Sequence, residues 1–196
     1  MNHNFEKAFK DLIHVEGGYV NHPNDPGKET YKGVSRVYHP NWLGWSIIDK
    51  HKPHSLFPRI LEIDDSLKNL VKNFYKIEYW DSVLGDKVSE IESPIASELF
   101  DTAVNMGPER AVIFLQRALN VLNTKNTTVL YNDVSKDGDL GPITLEALQK
   151  CCENNRGYSL LIYMNVLQGA RYIENAEKNR KKEVFIAGWA QRINLQ

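Results

Sequence analysis

Glu16 is the residue of this 196-residue chain whose position asks for a chemical explanation. Phe5, Phe9, Leu12, Ile13 and Glu16 recur at i, i+4, i+7, i+8 and i+11, so a carboxylate stands on what is otherwise the apolar stripe of a helix. Gly17-Gly18 follow as a glycine stop, which places Glu16 in the last turn, where the helix end carries partial negative charge. That charge and burial both disfavour ionisation, and a carboxylic acid with a raised pKa can donate a proton near neutral pH. The same spacing suits a carboxylate at the edge of the stripe that reaches water or makes a cap contact. Periodicity leaves both readings open, because helix phase slips by a residue or two at its ends.

Other constellations are weaker. All six histidines lie in the first 54 residues, and His51-x-x-His54 has metal-ligand spacing, but no cysteine or acidic set with zinc spacing accompanies it. Solvated loop histidines are the simpler reading, and no metal is expected. Asp133-x-Ser135-x-Asp137-Gly138-Asp139 begins like a calcium loop, yet its twelfth position is Thr144 where an EF-hand needs a bidentate Glu, so it reads as a turn. No phosphate-binding loop, dinucleotide fingerprint or basic-aromatic patch is present, so neither a cofactor nor nucleic acid is expected.

The elements that must position Glu16 are mostly helical. Between Tyr19 and about Pro58 periodicity is lost and prolines and glycines punctuate a long irregular stretch; Tyr31, Tyr38, Trp42, Trp45 and Phe57 within it argue against disorder. Asp64-Asp65 open a helix carrying Leu67, Leu70, Val71 and Phe74 that runs towards Tyr79-Trp80. Ser93-Pro94 read as N-cap and first-turn proline of a helix through Ile95, Leu99 and Ala103 that ends at Asn105-Met106-Gly107. Pro108 restarts a helix with Val112, Leu115 and Leu119. Gly141-Pro142 open a shorter one, and a longer one follows from about Ser159. Thr127–Tyr131 is the best strand candidate. The fold class is therefore mainly α with room for a small β element.

Composition sets outer bounds. The chain carries 24 Lys+Arg against 25 Asp+Glu, and a formal charge of -1 gives no general attraction to nucleic acid or an anionic membrane. At this length a domain buries about 70% of its unfolded surface, so neither metal nor disulfide is needed to fold. Cys151 and Cys152, the only cysteines, are adjacent and read as free thiols. The first residues lack the apolar run and cleavage site of a secretory signal peptide, and nothing approaches a membrane span. Synthesis in the cytoplasm is expected.

The residues that follow Glu16 add a resemblance. EGGYVNHPNDPGKETYKGVS, residues 16–35, resembles the signature of the bacterial and phage N-acetylmuramidases of glycoside hydrolase family 108, in which a helix-ending Glu-Gly-Gly-Tyr leads into Asn, Asp-Pro-Gly, Thr and Gly. Tyr79-Trp80-Asp81 is similar to the family's aromatic-acidic step, and Glu98-Leu-Phe-Asp-Thr-Ala-Val-Asn-Met-Gly107 to a second signature. Phe114–Asn120, Asp137–Thr144 and Gly188-Trp189 with Arg192 resemble the peptidoglycan-binding portion that accompanies it. One departure stands inside the first motif: where the family usually has a second glycine after Asp-Pro-Gly, this chain has Lys28, followed by Glu29.

The resemblance implies a lysozyme-like helical fold, with a catalytic portion at 1–92 and a helical peptidoglycan-binding portion at 93–196 packed as one compact unit. It implies hydrolysis of the bond between N-acetylmuramic acid and N-acetylglucosamine in peptidoglycan glycan strands, with Glu16 as proton donor. Such hydrolysis needs a second group besides the acid. Asp25, nine residues after Glu16, is the leading candidate, and Thr30, fourteen residues after it, could position water. A turn residue at Asp25 and a backbone-satisfying Thr30 are the plainer alternatives. Tyr19, Asp101 and Asn105 are expected to line or buttress the groove, the last two one helical turn apart. An endolysin or secretion-activator role, acting on the wall after non-classical or holin-type release, fits the family. A non-catalytic wall-binding or secretion-assisting protein and a lytic transglycosylase are the rival readings.

Overall fold

A computed structural model describes residues 3–13, 17–21 and 27–193. Helices take up 67% of the described residues and the sheets among them are small and antiparallel, which makes the fold mainly α, consistent with a lysozyme-like fold. The chain divides into two compact units, residues 6–78 and residues 1–5 with 79–196. Helix α1 (His3–Ile13) begins in the second and ends in the first. Its apolar stripe behaves as the spacing demands, with Phe5, Ala8 and Leu12 buried.

Within residues 6–78, strands β1 (Tyr19–Asn21), β2 (Glu29–Tyr31) and β3 (Val34–Ser35) form an antiparallel sheet in that order. Tyr19 faces Tyr31, Val20 faces Thr30 and Asn21 faces Glu29; Thr30 in turn faces Ser35. The β2–β3 connection is the two-residue turn Lys32-Gly33, whose φ values of 45° and 77° are both left-handed, as the hairpin turn that matches strand twist requires. Helix α2 (Gly44–His51) and a 3-10 turn (Arg59–Ile63) lead to α3 (Asp65–Tyr75). Asp64 caps α3 by accepting from Leu67 N at 2.9 Å, and a π-helical turn (Lys76–Trp80) continues from its end.

The sequence reading of 19–58 as irregular missed the sheet and α2, because strands of two or three residues show no usable alternation and α2 has only about two turns. It also placed His51 in a solvated loop. His51 instead ends α2 with Nε2 2.9 Å from Asp64 Oδ2, so the residue that caps α3 also ties α2 to it. His54 lies beyond that helix, its Nδ1 accepting from Leu56 N at 3.1 Å.

The second unit is built on α4 (Gly85–Ile91), α5 (Ser93–Met106), α6 (Pro108–Val121), α7 (Pro142–Glu153), α8 (Gly157–Lys178) and α9 (Ile186–Ala190). Helix α5 packs against α4, α6 and α8 and carries Ile95, Leu99, Phe100 and Ala103 into the core. Phe5, Trp80 and Phe100 meet edge to face, with centroids 5.5 to 5.9 Å apart, an arrangement aromatic quadrupoles favour.

Two boundaries differ from expectation. Ser93 is the first residue of α5 and not its cap; Glu92 holds the cap position with extended backbone, and Ser93 Oγ donates to Asn4 Oδ1 at 3.2 Å. The strand expected over Thr127–Tyr131 is shorter, a hairpin of β4 (Thr124–Lys125) with β5 (Thr128–Val129). The turn at Asp137-Gly138-Asp139 is held by Gln116, which donates to Asp137 Oδ1 at 2.8 Å and accepts from Gly138 N at 3.0 Å. Cys151 and Cys152 are both free thiols.

Candidate active site

Glu16 and Asp25 lie outside the described residues; Thr30 and Tyr19 lie on the sheet of the 6–78 unit. Strand alternation sends Glu29 and Tyr31 to the buried side of β2 and Thr30 to the other, half-buried side. The Thr30 and Ser35 hydroxyls, opposite each other across β2 and β3, both donate to the Gly27 carbonyl, at 3.4 Å and 3.0 Å. Together they tie the glycine of the Asp25-Pro26-Gly27 sequence to the sheet. Ser35 carries the shorter of the two bonds and escaped the sequence reading.

Glu29, which reads in the sequence only as an added charge, is 8% exposed and the hub of this side of the sheet. Its carboxylate accepts from Tyr19 Oη at 2.9 Å and from Arg36 Nη1 at 2.8 Å, and pairs with Lys52 Nζ at 2.9 Å. A buried carboxylate is tolerable only with such partners. Arg36 also reaches Asp49, at 2.6 Å, and lies 4.8 Å from the Trp45 ring centroid in a cation–π contact. The two cations hold the Asp49 carboxyl down to about 2. Tyr19 uses its hydroxyl on Glu29 and sets its ring edge-on to Phe57 at 4.8 Å; burial and the Glu29 carboxylate raise its phenol above the ordinary value. Tyr19 is thus a member of the sheet's buttress.

In the other unit, Glu98, Asp101, Thr102 and Asn105 follow one another at helical spacing along α5. Arg192, 91 residues further along, donates to Asp101 Oδ1 at 2.8 Å. With the Asn105 amide turned so that its oxygen faces the guanidinium, it accepts from Arg192 Nε at 2.9 Å and Nη1 at 2.6 Å. Asp101 and Asn105 are therefore brought together by one arginine, and both are spent on it. Gln168 of α8 donates to Asp101 Oδ2 and to Thr102 Oγ1, each at 3.2 Å, and Thr102 donates to Glu98 Oε1 at 3.1 Å. Tyr172, one turn beyond Gln168, stacks on Trp189 with centroids 5.0 Å apart. Burial, reinforced by the Asp101 charge, pushes Glu98 up to about 7. Asp101 is also raised, burial outweighing the opposing pull of Arg192.

A family model described as "Glycosyl hydrolase 108" matches residues 9–107, just over half of the chain. The chain belongs to the glycosyl hydrolase 108 family. A second model, "Predicted Peptidoglycan domain", matches residues 110–194. Among solved structures, the chain is similar to the one titled "Structure of Brucella abortus SagA", with a TM-score of 0.62 and 24% identity over 96% of this chain and 88% of that one; this is a likeness of fold. No curated protein matches in sequence.

Lys28, which follows the Asp25-Pro26-Gly27 sequence, has a φ of 49°. A side chain in the left-handed region costs about 1–2 kcal/mol, which glycine avoids. Lys28→Gly is expected to raise unfolding free energy by about 0.5–1 kcal/mol, since the relieved strain is partly offset by a freer unfolded chain. Urea titration checks it, and a loss of stability would show that the Lys28 side chain holds the loop.

The buried α5 cluster gives this glycosyl hydrolase 108 chain a pH dependence whose sign is set by Glu98. Its folded pKa, about 7, lies above the ordinary 4.5, so the folded state binds the proton more tightly. The group's stabilising contribution is complete below about pH 4.5 and is lost as pH rises through about 7. Asp101, shifted the same way, adds to this; Arg192 opposes it, and Tyr172 stays a neutral phenol. Glu98→Gln, which cannot ionise, is expected to gain on the wild type between about pH 5 and pH 7 in thermal melts and to level off above that. Parallel curves would mean that Glu98 titrates at its ordinary value.

Proposed function

We propose that this chain is a peptidoglycan hydrolase of the lysozyme type, an N-acetylmuramidase that cleaves between N-acetylmuramic acid and N-acetylglucosamine. One observation carries the reading: a glycosyl hydrolase 108 match and a peptidoglycan-domain match follow each other over residues 9–194, and the Glu16-Gly-Gly-Tyr19 motif is intact within the first. Glu16 donates its proton to the glycosidic oxygen as the bond to the anomeric carbon breaks. Asp25 is the second carboxylate, which activates the incoming water or holds the positive charge that develops on the sugar. Thr30, its hydroxyl on the outer side of β2, orients that water. Tyr19, Asp101 and Asn105 are the residues proposed to line or buttress the groove. The catalytic portion is taken as 1–92 and the wall-binding portion as 93–196, with no cofactor. Among the described residues no helix is long and apolar enough to cross a membrane. The wall is the proposed place of action, reached by a non-classical or holin-type route, as in an endolysin or secretion activator.

The products decide the reaction. Digestion of purified peptidoglycan by the full chain is expected to create reducing N-acetylmuramic acid ends. Anhydro-muramic ends would identify a lytic transglycosylase, and adsorption without any new end would identify a non-catalytic wall binder.

A further inference from the structure

After α8 the chain forms a 3-10 helix, Arg180–Phe185, that leads to α9, and every residue of it is exposed. Val184 is 76% exposed and Phe185 56%. The segment is nevertheless held on both sides. Asn179 caps the 3-10 helix by accepting from Lys181 N at 3.1 Å. Beyond it, Trp189 of α9 stacks on Tyr172 of α8 and Arg192 is bound to Asp101 of α5. A Cβ on Gly169 of α8 would lie 2.9 Å from Ile193 Cδ1, so that residue too is seated on α8. All of these residues belong to the unit that contains 79–196. A helix fastened at both ends that keeps its apolar side chains in water presents them to something outside the chain.

The pattern of charge says what that is. Three residues make one turn of a 3-10 helix, so side chains three apart stand one above the other. Lys181 therefore shares a face with Val184, Lys182 shares the next with Phe185, and Arg180 shares the third with Glu183. The third pair offsets itself, Arg180 Nε lying 3.8 Å from Glu183 Oε2. Each of the other two faces carries an apolar side chain with an ammonium about 6 Å away along the axis, one turn of the helix. A lysine stem spans that distance, which lets the charge stay at a polar layer while its neighbour enters an apolar one. Lys178, in the last turn of α8, adds a further cation; Glu177 is the remaining carboxylate among residues 177–186. Phe185 in turn leans on Trp189, with centroids 6.0 Å apart, so the apolar surface continues into α9. A soluble polyanion would use the lysines and leave Val184 and Phe185 in water. An uncharged apolar surface would do the opposite. A bilayer with anionic headgroups supplies both layers at the spacing the helix presents. The whole chain has a formal charge of -1, so the attraction is local to this face.

We propose that the Arg180–Phe185 helix is a peripheral attachment site for an anionic lipid surface, with Lys181 and Lys182 on the phosphates and Val184 and Phe185 entering the upper acyl layer. The attachment involves no reaction and does not draw on the hydrolytic reading. The test is co-sedimentation of the full chain with vesicles of phosphatidylcholine alone and with vesicles of equal parts phosphatidylcholine and phosphatidylglycerol. Sedimentation with the mixed vesicles only is expected at about 0.05 M salt, with most of it lost by about 0.5 M as charges are screened. Lys181→Gln with Lys182→Gln is expected to weaken partitioning about 30-fold, about fivefold for each lysine at the surface. Phe185→Ser is expected to weaken it about tenfold. Both variants change exposed side chains, so their melting midpoints should stay within about 2 °C of the wild type. No sedimentation of the wild type at roughly 10 mM mixed lipid would overturn the proposal, since partitioning a tenth as strong as that of a single myristoyl chain would be visible there. Equal binding to both kinds of vesicle, or a double-lysine variant that binds like the wild type, would overturn it as well. A Phe185→Ser chain that binds undiminished while soluble polyphosphate displaces the wild type would replace the lipid surface with a polyanion.

Discussion

Glu16→Gln is expected to clear peptidoglycan about 1,000-fold more slowly than the wild type while still sedimenting with it. The amide keeps the size and much of the hydrogen bonding of the acid but has no proton to give to the leaving oxygen. General acid catalysis is worth about 100- to 10,000-fold, and a sugar alkoxide leaves poorly without it. The proposed second carboxylate and the proposed wall-binding portion would be untouched, so the loss falls on turnover and not on adsorption. The paired measurement is turbidity clearance and pelleting with purified sacculi. Clearance within tenfold of the wild type would remove Glu16 from the role of proton donor, whatever the products of the wild type prove to be.

Arg192→Met is expected to destabilise the unit formed by residues 1–5 and 79–196 by about 3 kcal/mol at pH 8, and by less at pH 5. Arg192 is the cation paired with Asp101, and it also holds the Asn105 amide. Methionine fills a similar volume but takes the Arg192 charge away from Asp101 beside Glu98, and a half-buried carboxylate stripped of its partner costs more than the pair was worth. Acid relieves the damage, because Asp101 and Glu98 are both already shifted towards protonation. For a chain of this size 1 kcal/mol moves the melting midpoint by about 2–4 °C, so a drop of about 6–12 °C at pH 8 should shrink on acidification. A pH-independent drop would mean that the arginine acts through packing alone. Because Asp101 and Asn105 stand in the second family signature and Arg192 in the peptidoglycan-domain match, this variant also tests whether the two motifs are held together by that one side chain.

Much of the molecule is legible from local order. The stripe of Phe5, Leu12 and their neighbours, the cap at Asp64, the proline starts of α6 and α7 and the long α8 follow from spacing and cap chemistry, which act within a turn or two and so survive in the linear sequence. The candidate acid was found by the same logic, as a carboxylate out of place on an apolar stripe, and the family by motif order. What tertiary structure alone decided are the contacts made at a distance. Nothing near Glu29 announces that a tyrosine ten residues before it, an arginine seven after and the lysine at 52 will converge to make its burial tolerable. Nothing near Asp101 announces Arg192. The left-handed backbone at Lys28 and the unpaired indole of Trp42 are likewise features of the folded chain. Periodicity records which face of an element is buried; it carries no record of which polar groups meet there, because those meetings are set by how the elements pack.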